Sequence, residues 1–269
     1  MGGATIILYP IGEYAMPYPL FLMALLCFLA GACIFSFLNV VVWRLPRGES
    51  PLGGRSRCPA CGRALTAWEL VPCVSFLVLR GKCRDCGAKI PGRDFWVEAL
   101  GGVLLIGCAV KFGPGTVRSG LTFVLLSLLT VVGLMDWDTM EIYDRFQVAI
   151  LLCALAAVVV FPEVSLLDRL IGALCVSLPM LVVALVIPGG FGGGDIKLMF
   201  ALGAFLGWRH TLLTGFFALF GGGIYAIYLL KQGKAGRKDH FAFGPFLCAS
   251  AGFAIFGGDS ILNWYLAFW

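Results

Sequence analysis

Hydrophobic and polar positions alternate along this chain as long uncharged runs separated by short polar segments. The longest run, Leu20 to Trp43, holds no charged residue and is long enough to cross a bilayer as a helix. Seven further apolar runs predict spans at residues 95–112, 118–135, 146–161, 166–187, 196–208, 211–230 and 242–258. We therefore expect an all-α polytopic membrane protein with about eight transmembrane helices.

The first and the last apolar segments lead to different predictions about the membrane. No basic segment and no small-residue cleavage site precede the first span, so we expect a retained anchor and not a cleaved signal peptide. The last apolar piece, Ser260 to Trp269, is too short to span the bilayer. Its residues Trp264, Tyr265 and Trp269 are typical of the membrane–water interface, where we expect this segment to lie.

The charge is concentrated in one place. The chain is 60% hydrophobic and only 13% charged, yet ten of its twenty Lys and Arg residues lie between Arg44 and Arg93, against three acids. Nucleic-acid binding is one interpretation, but cytoplasmic loops of membrane proteins carry the same bias, and we prefer that explanation. It predicts a cytoplasmic 47–93 segment, an N-terminus outside and no nucleic-acid partner. The loop with Lys231, Lys234, Arg237 and Lys238 falls on the same side when the spans are counted.

Four of the eleven cysteines form a pattern inside this basic segment. Cys58 and Cys61 make one CxxC pair, and Cys83 and Cys86 make another. Two CxxC pairs at this spacing are typical of a zinc ribbon, in which four thiolates surround one ion. Disulfides are the alternative. A closed four-cysteine site has no open position, so we expect the zinc to be structural, in a small insertion over residues 47–93.

Carboxylates stand at the ends of two spans, where charge is costly unless it has a role. Asp195 follows three glycines, and four acids, Asp136, Asp138, Glu141 and Asp144, follow the span that ends at Met135. Asp195 as a simple helix N-cap is the structural interpretation. Two spans separate Asp136 from Asp195. An even number places both on the same face of the membrane, so they can meet.

Two aspartates held close together cannot both ionise easily, and they share a proton. Such a pair activates a water molecule and protonates a departing amine, as in aspartic proteases. Ion or proton transport is the alternative, because carboxylates also mark ion pathways in membranes. Transport explains neither a zinc ribbon nor two acids at one membrane edge. A third possibility is a non-catalytic zinc-ribbon scaffold for a secretion complex.

The order of these motifs resembles that of the bacterial type IV prepilin peptidases, which are GxGD-type intramembrane aspartyl proteases. The resemblance covers nearly the whole chain. Its motifs are Ser36–Val40 with Arg44–Pro46, the two CxxC pairs with Leu79–Cys83, Asp136–Met140, Gly192–Leu198 with Ala201–Ala204, and Phe243–Phe246. Two positions depart from the family pattern, which usually has Gly where this chain has Phe35 and Pro where it has Tyr143.

The resemblance implies a division of the chain and its function. It implies an N-terminal segment with the first helix at 1–46, a zinc domain at 47–93 and a protease core at 94–269. Asp136 and Asp195 would be catalytic, in a loop with Gly192, Gly194 and Lys197. The implied substrates are prepilins and pseudopilins, cut at the cytoplasmic face of the inner membrane. Methylation of the new N-terminus from S-adenosylmethionine is implied by the resemblance alone, since no methyltransferase glycine loop is present.

The remaining acids carry a separate hypothesis. The leader of such substrates is basic, and Asp138, Glu141 and Asp144 lie beside Asp136 with no Lys or Arg before Arg145. Orientation bias favours basic and not acidic residues on a cytoplasmic face, so topology does not explain this cluster. They either steer the leader electrostatically or cap and solvate the turn between two spans. The sequence leaves both open.

Overall fold

The computed structural model describes residues 17–187, 190–232 and 241–267, and these residues fold into α-helices with no extended strand. The helices are α1 Pro17–Arg44, α2 Val74–Val78, α3 Gly92–Phe112, α4 Val117–Thr139, α5 Asp144–Val160, α6 Leu166–Cys175, α7 Ser177–Val186, α8 Gly193–Leu206, α9 Trp208–Lys231 and α10 Gly244–Leu266. Short 3-10 helices cover Leu45–Arg47 and Ala67–Leu70. The predicted all-α fold class is confirmed.

Each of the eight predicted spans lies on a helix, but their lengths differ. Within the described residues, six stretches are long and apolar enough to cross a membrane: α1, α3, α4, α6 with α7, α9 and α10. The other two are short, with 17 residues in α5 and 14 in α8. Fourteen residues rise about 21 Å, whereas the hydrocarbon core is ~30 Å thick. The structure thus supports six full-length spans and two short helices.

The expectation that residues 260–266 form an apolar piece separate from the last span was wrong, whereas their position at the membrane–water interface remains a prediction. They do not form a separate segment but continue α10, which runs through Gly257 and Gly258 to Leu266. The Asp259 carboxylate of this helix has two partners. One of its oxygens lies 3.0 Å from the Lys111 ammonium, and the other lies 3.0 Å from the His210 imidazole. Trp269, together with the loop residues Lys234, Arg237 and Lys238, lies outside the described residues.

Helix α4 is the centre of the bundle. It packs against α1, α3, α5 and α10, and 56% of its membrane-length window is buried, more than in any other of the six stretches. Its inner face carries large fully buried side chains such as Leu125, Leu129 and Met135. The end of this buried helix carries Asp136.

Two pairs of helices approach so closely that only glycine fits between them. A Cβ atom on Gly31 of α1 would lie 2.3 Å from the carbonyl oxygen of Gly101 in α3. A Cβ atom on Gly203 of α8 would lie 2.1 Å from the carbonyl oxygen of Gly172 in α6. Small residues allow such backbone contact between membrane helices, where packing and not the hydrophobic effect holds the helices together.

A buried arginine donates hydrogen bonds to carbonyl groups at the C-terminal ends of the two short helices. Arg169, in the first turns of α6, is 2% exposed and donates four hydrogen bonds to backbone carbonyls. Its guanidinium reaches Ala157 at 2.8 Å and Phe161 at 2.9 Å at the end of α5, and Ala204 at 3.2 Å and Phe205 at 2.8 Å at the end of α8. The carbonyls of Ala204 and Phe205 lie in the last turn of α8, where intrahelical donors run out, whereas those of Ala157 and Phe161 also accept the backbone N–H groups of Phe161 and Val164. The cation also complements both helix dipoles.

We predict that Arg169→Leu destabilises the protein strongly, by about 3 kcal/mol or more, because several helix-end carbonyls lose a charged donor at once. Thermal unfolding in detergent measures the effect. Arg118→Leu is the matched control, since Arg118 makes an exposed ion pair with Glu163 at 3.0 Å and should cost about 1 kcal/mol or less. Equal stability of the two variants would show that Arg169 does not hold the helix ends.

Candidate active site and metal centre

The structure brings the two predicted catalytic aspartates into one cavity. Asp136, near the end of α4, and Asp195, in the first turn of α8, both line a cavity of about 340 Å³. They are 5% and 8% exposed, so both carboxylates are buried at its base. The remaining lining comes from the loop 140–143 and from the glycines 192–194. The even number of intervening spans predicted this meeting.

Asp136 is positioned by the end of its own helix and by the start of α10. Met140 ends α4 in the left-handed conformation, with a φ of 55°, and its N–H donates to the Asp136 carbonyl oxygen at 2.8 Å. The backbone N–H of Gly244 donates to Asp136 Oδ2 at 2.9 Å. A Cβ atom on Gly244 would lie 2.8 Å from that same oxygen. Glycine here allows the positive end of α10 to approach the carboxylate directly.

Asp195 is the third residue of α8, whose N-cap is Gly192. Its carboxylate accepts a hydrogen bond from the Gly192 N–H, as the third residue of a capping box does. The interpretation of Asp195 as the N-cap itself is therefore wrong, since Gly192 holds that position. However, Asp195 Oδ1 is buried and has no hydrogen-bond partner. An unsatisfied buried oxygen is costly, and this one lies on the wall of the cavity.

The glycine loop is anchored from α5. The Gln147 side chain, which is buried, donates to the Gly194 carbonyl oxygen at 3.0 Å. A Cβ atom on Gly194 would lie 3.0 Å from Cβ of Ile142, which also lines the cavity. Gly194 thus keeps the two loops of the site in contact. The sequence reasoning missed Gln147, although a lone amide in an apolar run is a signal of an interhelical hydrogen bond.

Two of the other acids each form an ion pair with a cation from another helix. Asp138 accepts from Arg93 at 2.7 Å, and Asp144 accepts from Lys197 at 2.7 Å. Lys197 was predicted as part of the catalytic loop, yet it is largely exposed and does not line the catalytic cavity. Glu141 lines that cavity, and no ion pair involves it within the described part of the chain. The sequence analysis did not anticipate cations beside this cluster.

The two departures from the family pattern have local explanations. Phe35 is fully buried in α1 and its ring packs over Gly101 of α3, 5.8 Å from the ring of Phe123. Tyr143 is the N-cap of α5 with a φ of −74°, a value that proline also adopts. Tyrosine therefore keeps the backbone that a proline would impose after the acidic loop.

The four predicted zinc ligands lie together. The sulfur atoms of Cys58, Cys61, Cys83 and Cys86 are all within 4.8 Å of one another, and Cys58 Sγ is 3.8 Å from Cys86 Sγ. Four sulfurs bound to one zinc at about 2.3 Å stand about 3.8 Å apart in a tetrahedron. The distances fit a tetrahedral thiolate site, and all four cysteines are free of disulfides.

The backbone prepares two of these thiols for a metal. Hydrogen bonds from backbone N–H groups, above all that of Cys86, lower the pKa of Cys83 to about 6. The backbone N–H of Cys61 makes the largest contribution to lowering the pKa of Cys58. The metal ligand is the thiolate and not the thiol, so the turns stabilise the form that binds zinc.

Comparison with known proteins agrees with this geometry. Residues 29–112 match the Bacterial Peptidase A24 N-terminal domain, and residues 123–227 match the Type IV leader peptidase family. No solved structure matches the chain.

Three relatives carry the name prepilin leader peptidase/N-methyltransferase. The one from Bacillus subtilis (strain 168) is 32% identical over 244 residues, which cover 91% of this chain and 98% of that protein. The one from Legionella pneumophila is 32% identical over 297 residues, covering 94% and 97%. The one from Aeromonas hydrophila is 33% identical over 273 residues, covering 90% and 93%. With these matches and the paired aspartates, the chain belongs to the type IV leader peptidase family.

Proposed function

We propose that this protein cleaves the leader peptide of prepilins or pseudopilins, with Asp136 and Asp195 as its catalytic residues. The observation that carries the proposal is the burial of both carboxylates at one cavity, with Asp195 Oδ1 lacking a partner. Family membership favours this function over the alternatives raised by the sequence, a cation or proton transporter and a non-catalytic scaffold.

The pair works as a unit. The two carboxylates are close enough for their charges to repel each other, so one proton is shared between them. A water molecule between them gives a proton to the ionised carboxylate as its oxygen attacks the scissile carbonyl. The protonated carboxyl group then supplies the proton that the departing amine requires. The Gly244 N–H stabilises the negative charge on Asp136 while this carboxylate is ionised.

The surroundings of the pair suit a membrane-bound substrate. Asp136 ends a membrane-length helix, so the cavity opens where a substrate helix would leave the bilayer. We place this face in the cytoplasm of a bacterial inner-membrane protein, with the N-terminus outside, because the basic 47–93 segment continues from the same end of α1. A basic leader ahead of one apolar helix then presents its cleavage site at the pair.

The four-cysteine cluster is proposed to bind structural zinc, and the chain is proposed to methylate the new N-terminus. Zinc would hold together the two turns of a domain that has little apolar core of its own. The relatives' name includes N-methyltransferase, and S-adenosylmethionine is the donor that the sequence resemblance implies. Neither group takes part in the cleavage described above.

The first prediction concerns the catalytic pair. Asp136→Asn and Asp195→Asn should each reduce cleavage of a prepilin by at least about 100-fold, because neither variant can share a proton, while both still insert into membranes. Cleavage by purified protein in detergent measures this. Asp138→Asn is the matched control and should retain turnover of saturating substrate. A wild-type rate in either Asn variant at Asp136 or Asp195 would exclude the paired mechanism.

The second prediction concerns the metal. Elemental analysis of purified protein should find one zinc per chain, and Cys83→Ser should lose it and expose the 47–93 segment to limited proteolysis. Cys73→Ser is the control, because Cys73 lies in the same domain but outside the cluster. We expect metal loss to reduce cleavage only indirectly. Protein without zinc, or paired disulfides among the four cysteines, would contradict the assignment.

The third prediction concerns leader steering by the acids at the rim, Asp138, Glu141 and Asp144. The double variant Asp138→Asn with Asp144→Asn should raise the KM for a basic leader at low salt and leave kcat nearly unchanged. The attraction acts between partly exposed charges, so the difference should shrink as salt is added. Cleavage kinetics across a salt series measure both effects.

The ion pairs in the structure supply the control for steering. Arg93→Gln with Lys197→Gln breaks the same two ion pairs but leaves the carboxylates charged. If the acids attract the leader, this variant should bind it as well as or better than the wild type. Equal increases in KM for both double variants would show that the acids stabilise the fold and do not hold the leader.

A further inference from the structure

The catalytic cavity is lined by three acids and, within the described part of the chain, by no Lys, Arg or His. The acids are Asp136, Glu141 and Asp195, and the other lining residues are Met140, Ile142, Tyr143 and the glycines 192–194. Attack of water on a peptide carbonyl places a further negative charge on the carbonyl oxygen, which enzymes stabilise with hydrogen-bond donors held in place beforehand. Apart from the proton that the two aspartates share, such donors must be backbone N–H groups or the hydroxyl of Tyr143.

The start of helix α8 supplies two backbone N–H groups to this cavity. The first N–H groups of an α-helix have no acceptor within the helix. The Gly192 N–H donates to the Asp195 carboxylate, and the N–H groups of Asp195 and Ile196 donate to the Gly192 carbonyl oxygen at 3.1 and 3.3 Å. Across the ranges that the structure describes, the N–H groups of Gly193 and Gly194 have no such partner. Both residues line the cavity, and they lie at the positive end of the helix dipole.

An acceptor without a partner lies in the same turn of α8. Asp195 is only 8% exposed, and its Oδ1 atom receives no hydrogen bond from the described residues. One helix end thus presents two unpaired donors and one buried unpaired acceptor to the cavity, an arrangement that is costly without a ligand. A ligand that satisfies both has a hydroxyl group next to a negatively charged oxygen. The tetrahedral intermediate of peptide hydrolysis carries these two groups on one carbon atom.

We propose that the N–H groups of Gly193 and Gly194 bind the oxyanion of this intermediate, while Oδ1 of Asp195 faces the attacking water. The inference rests on the proposed peptidase function. As the water oxygen bonds to the carbonyl carbon, the π electron pair moves onto the carbonyl oxygen and one water proton passes to the ionised carboxylate. When the carbon–nitrogen bond breaks, its electron pair stays on nitrogen, which takes a proton from the aspartate pair, and the oxyanion re-forms the carbonyl group of the product acid.

Gly193 is the residue at which one of these N–H groups can be removed with little other change. It is the first residue of α8, and a Cβ atom built on it has no neighbour within 4 Å. Proline is favoured at the first position of a helix, where its φ of about −65° fits and no helical hydrogen bond is lost. The residue before a proline is extended, and Gly192 already is, with a φ of −70° and a ψ of 142°. Gly193→Pro should therefore fold and delete one N–H group from the cavity.

The test compares Gly193→Pro with Gly193→Ala, because both add a Cβ atom but only the alanine variant keeps the N–H group. Cleavage of a prepilin by purified full-length protein in detergent gives kcat and KM for each. The proline variant should have a kcat about 100-fold below that of the alanine variant and a similar KM. The oxyanion is absent from the bound substrate, so its stabilisation acts on kcat.

Leu166→Pro is the matched control. Leu166 is the first residue of α6 and is exposed, and Ser165 before it is extended, with a φ of −62° and a ψ of 155°. It lies outside the catalytic cavity, so this proline should leave kcat and KM unchanged. If thermal unfolding in the same detergent shows that Gly193→Pro does not fold, glycolic acid incorporated at position 193 removes the same N–H group and adds no side chain. Its kcat should fall by a similar factor.

A substrate with sulfur in place of the scissile carbonyl oxygen tests the contact from the other side. Sulfur is a weaker hydrogen-bond acceptor than oxygen, so it weakens the contact with the N–H group. If the N–H of residue 193 faces this atom, sulfur should lower kcat by a larger factor in the alanine variant than in the proline variant, where the contact is already lost.

Four results would overturn the inference. Equal kcat values for the proline and alanine variants, or equal effects of sulfur in both, would show that the Gly193 N–H does not face the oxyanion. A higher KM with unchanged kcat in Gly193→Pro would show that the ring only obstructs the substrate. A loss of kcat of about 100-fold in Tyr143→Phe, with none in Gly193→Pro, would assign the oxyanion to the Tyr143 hydroxyl. A wild-type protein that cleaves no prepilin would refute the proposed function, and this inference with it.

Discussion

Within a membrane every backbone polar group needs a hydrogen-bond partner from the protein. Helix α8 is too short to cross the hydrocarbon core, so the carbonyl groups at its end need such a partner. Arg169 supplies that partner, because its guanidinium reaches the last carbonyls of α5 and α8 together. This one side chain allows two short helices to end inside the bundle. Asp195 lies in the first turn of α8, at the opposite end from this contact.

The same principle operates at the opposite end of the bundle, with the charges reversed. There the free N–H groups at the start of α10 meet the carboxylate of Asp136 through Gly244. In both places a charged side chain faces helix ends of opposite partial charge: a cation at two C-termini and a carboxylate at an N-terminus. Close glycine contacts such as Gly172 with Gly203 hold these ends at fixed separation.

The end of α4 lies between two cavities of different character. On one side Asp136 faces Asp195 in a small cavity with glycine walls. On the other side Asp138 pairs with Arg93 at the edge of a larger cavity that the four-cysteine domain covers.

The sequence by itself determined the helices, the cysteine cluster and the meeting of Asp136 with Asp195. Apolar runs specify membrane helices because hydrocarbon permits little else, CxxC spacing is local, and an even number of spans returns the chain to the same face. It did not reveal that α10 continues past Gly258, that Lys197 and Arg93 neutralise two of the acids, or that Gly244 donates to Asp136 across 108 residues of sequence. Those contacts, like the bonds of Arg169 and the second cavity, depend on which helix faces pack together. Helix packing is decided by the shapes of side chains far apart in the chain, so only the tertiary structure could decide them.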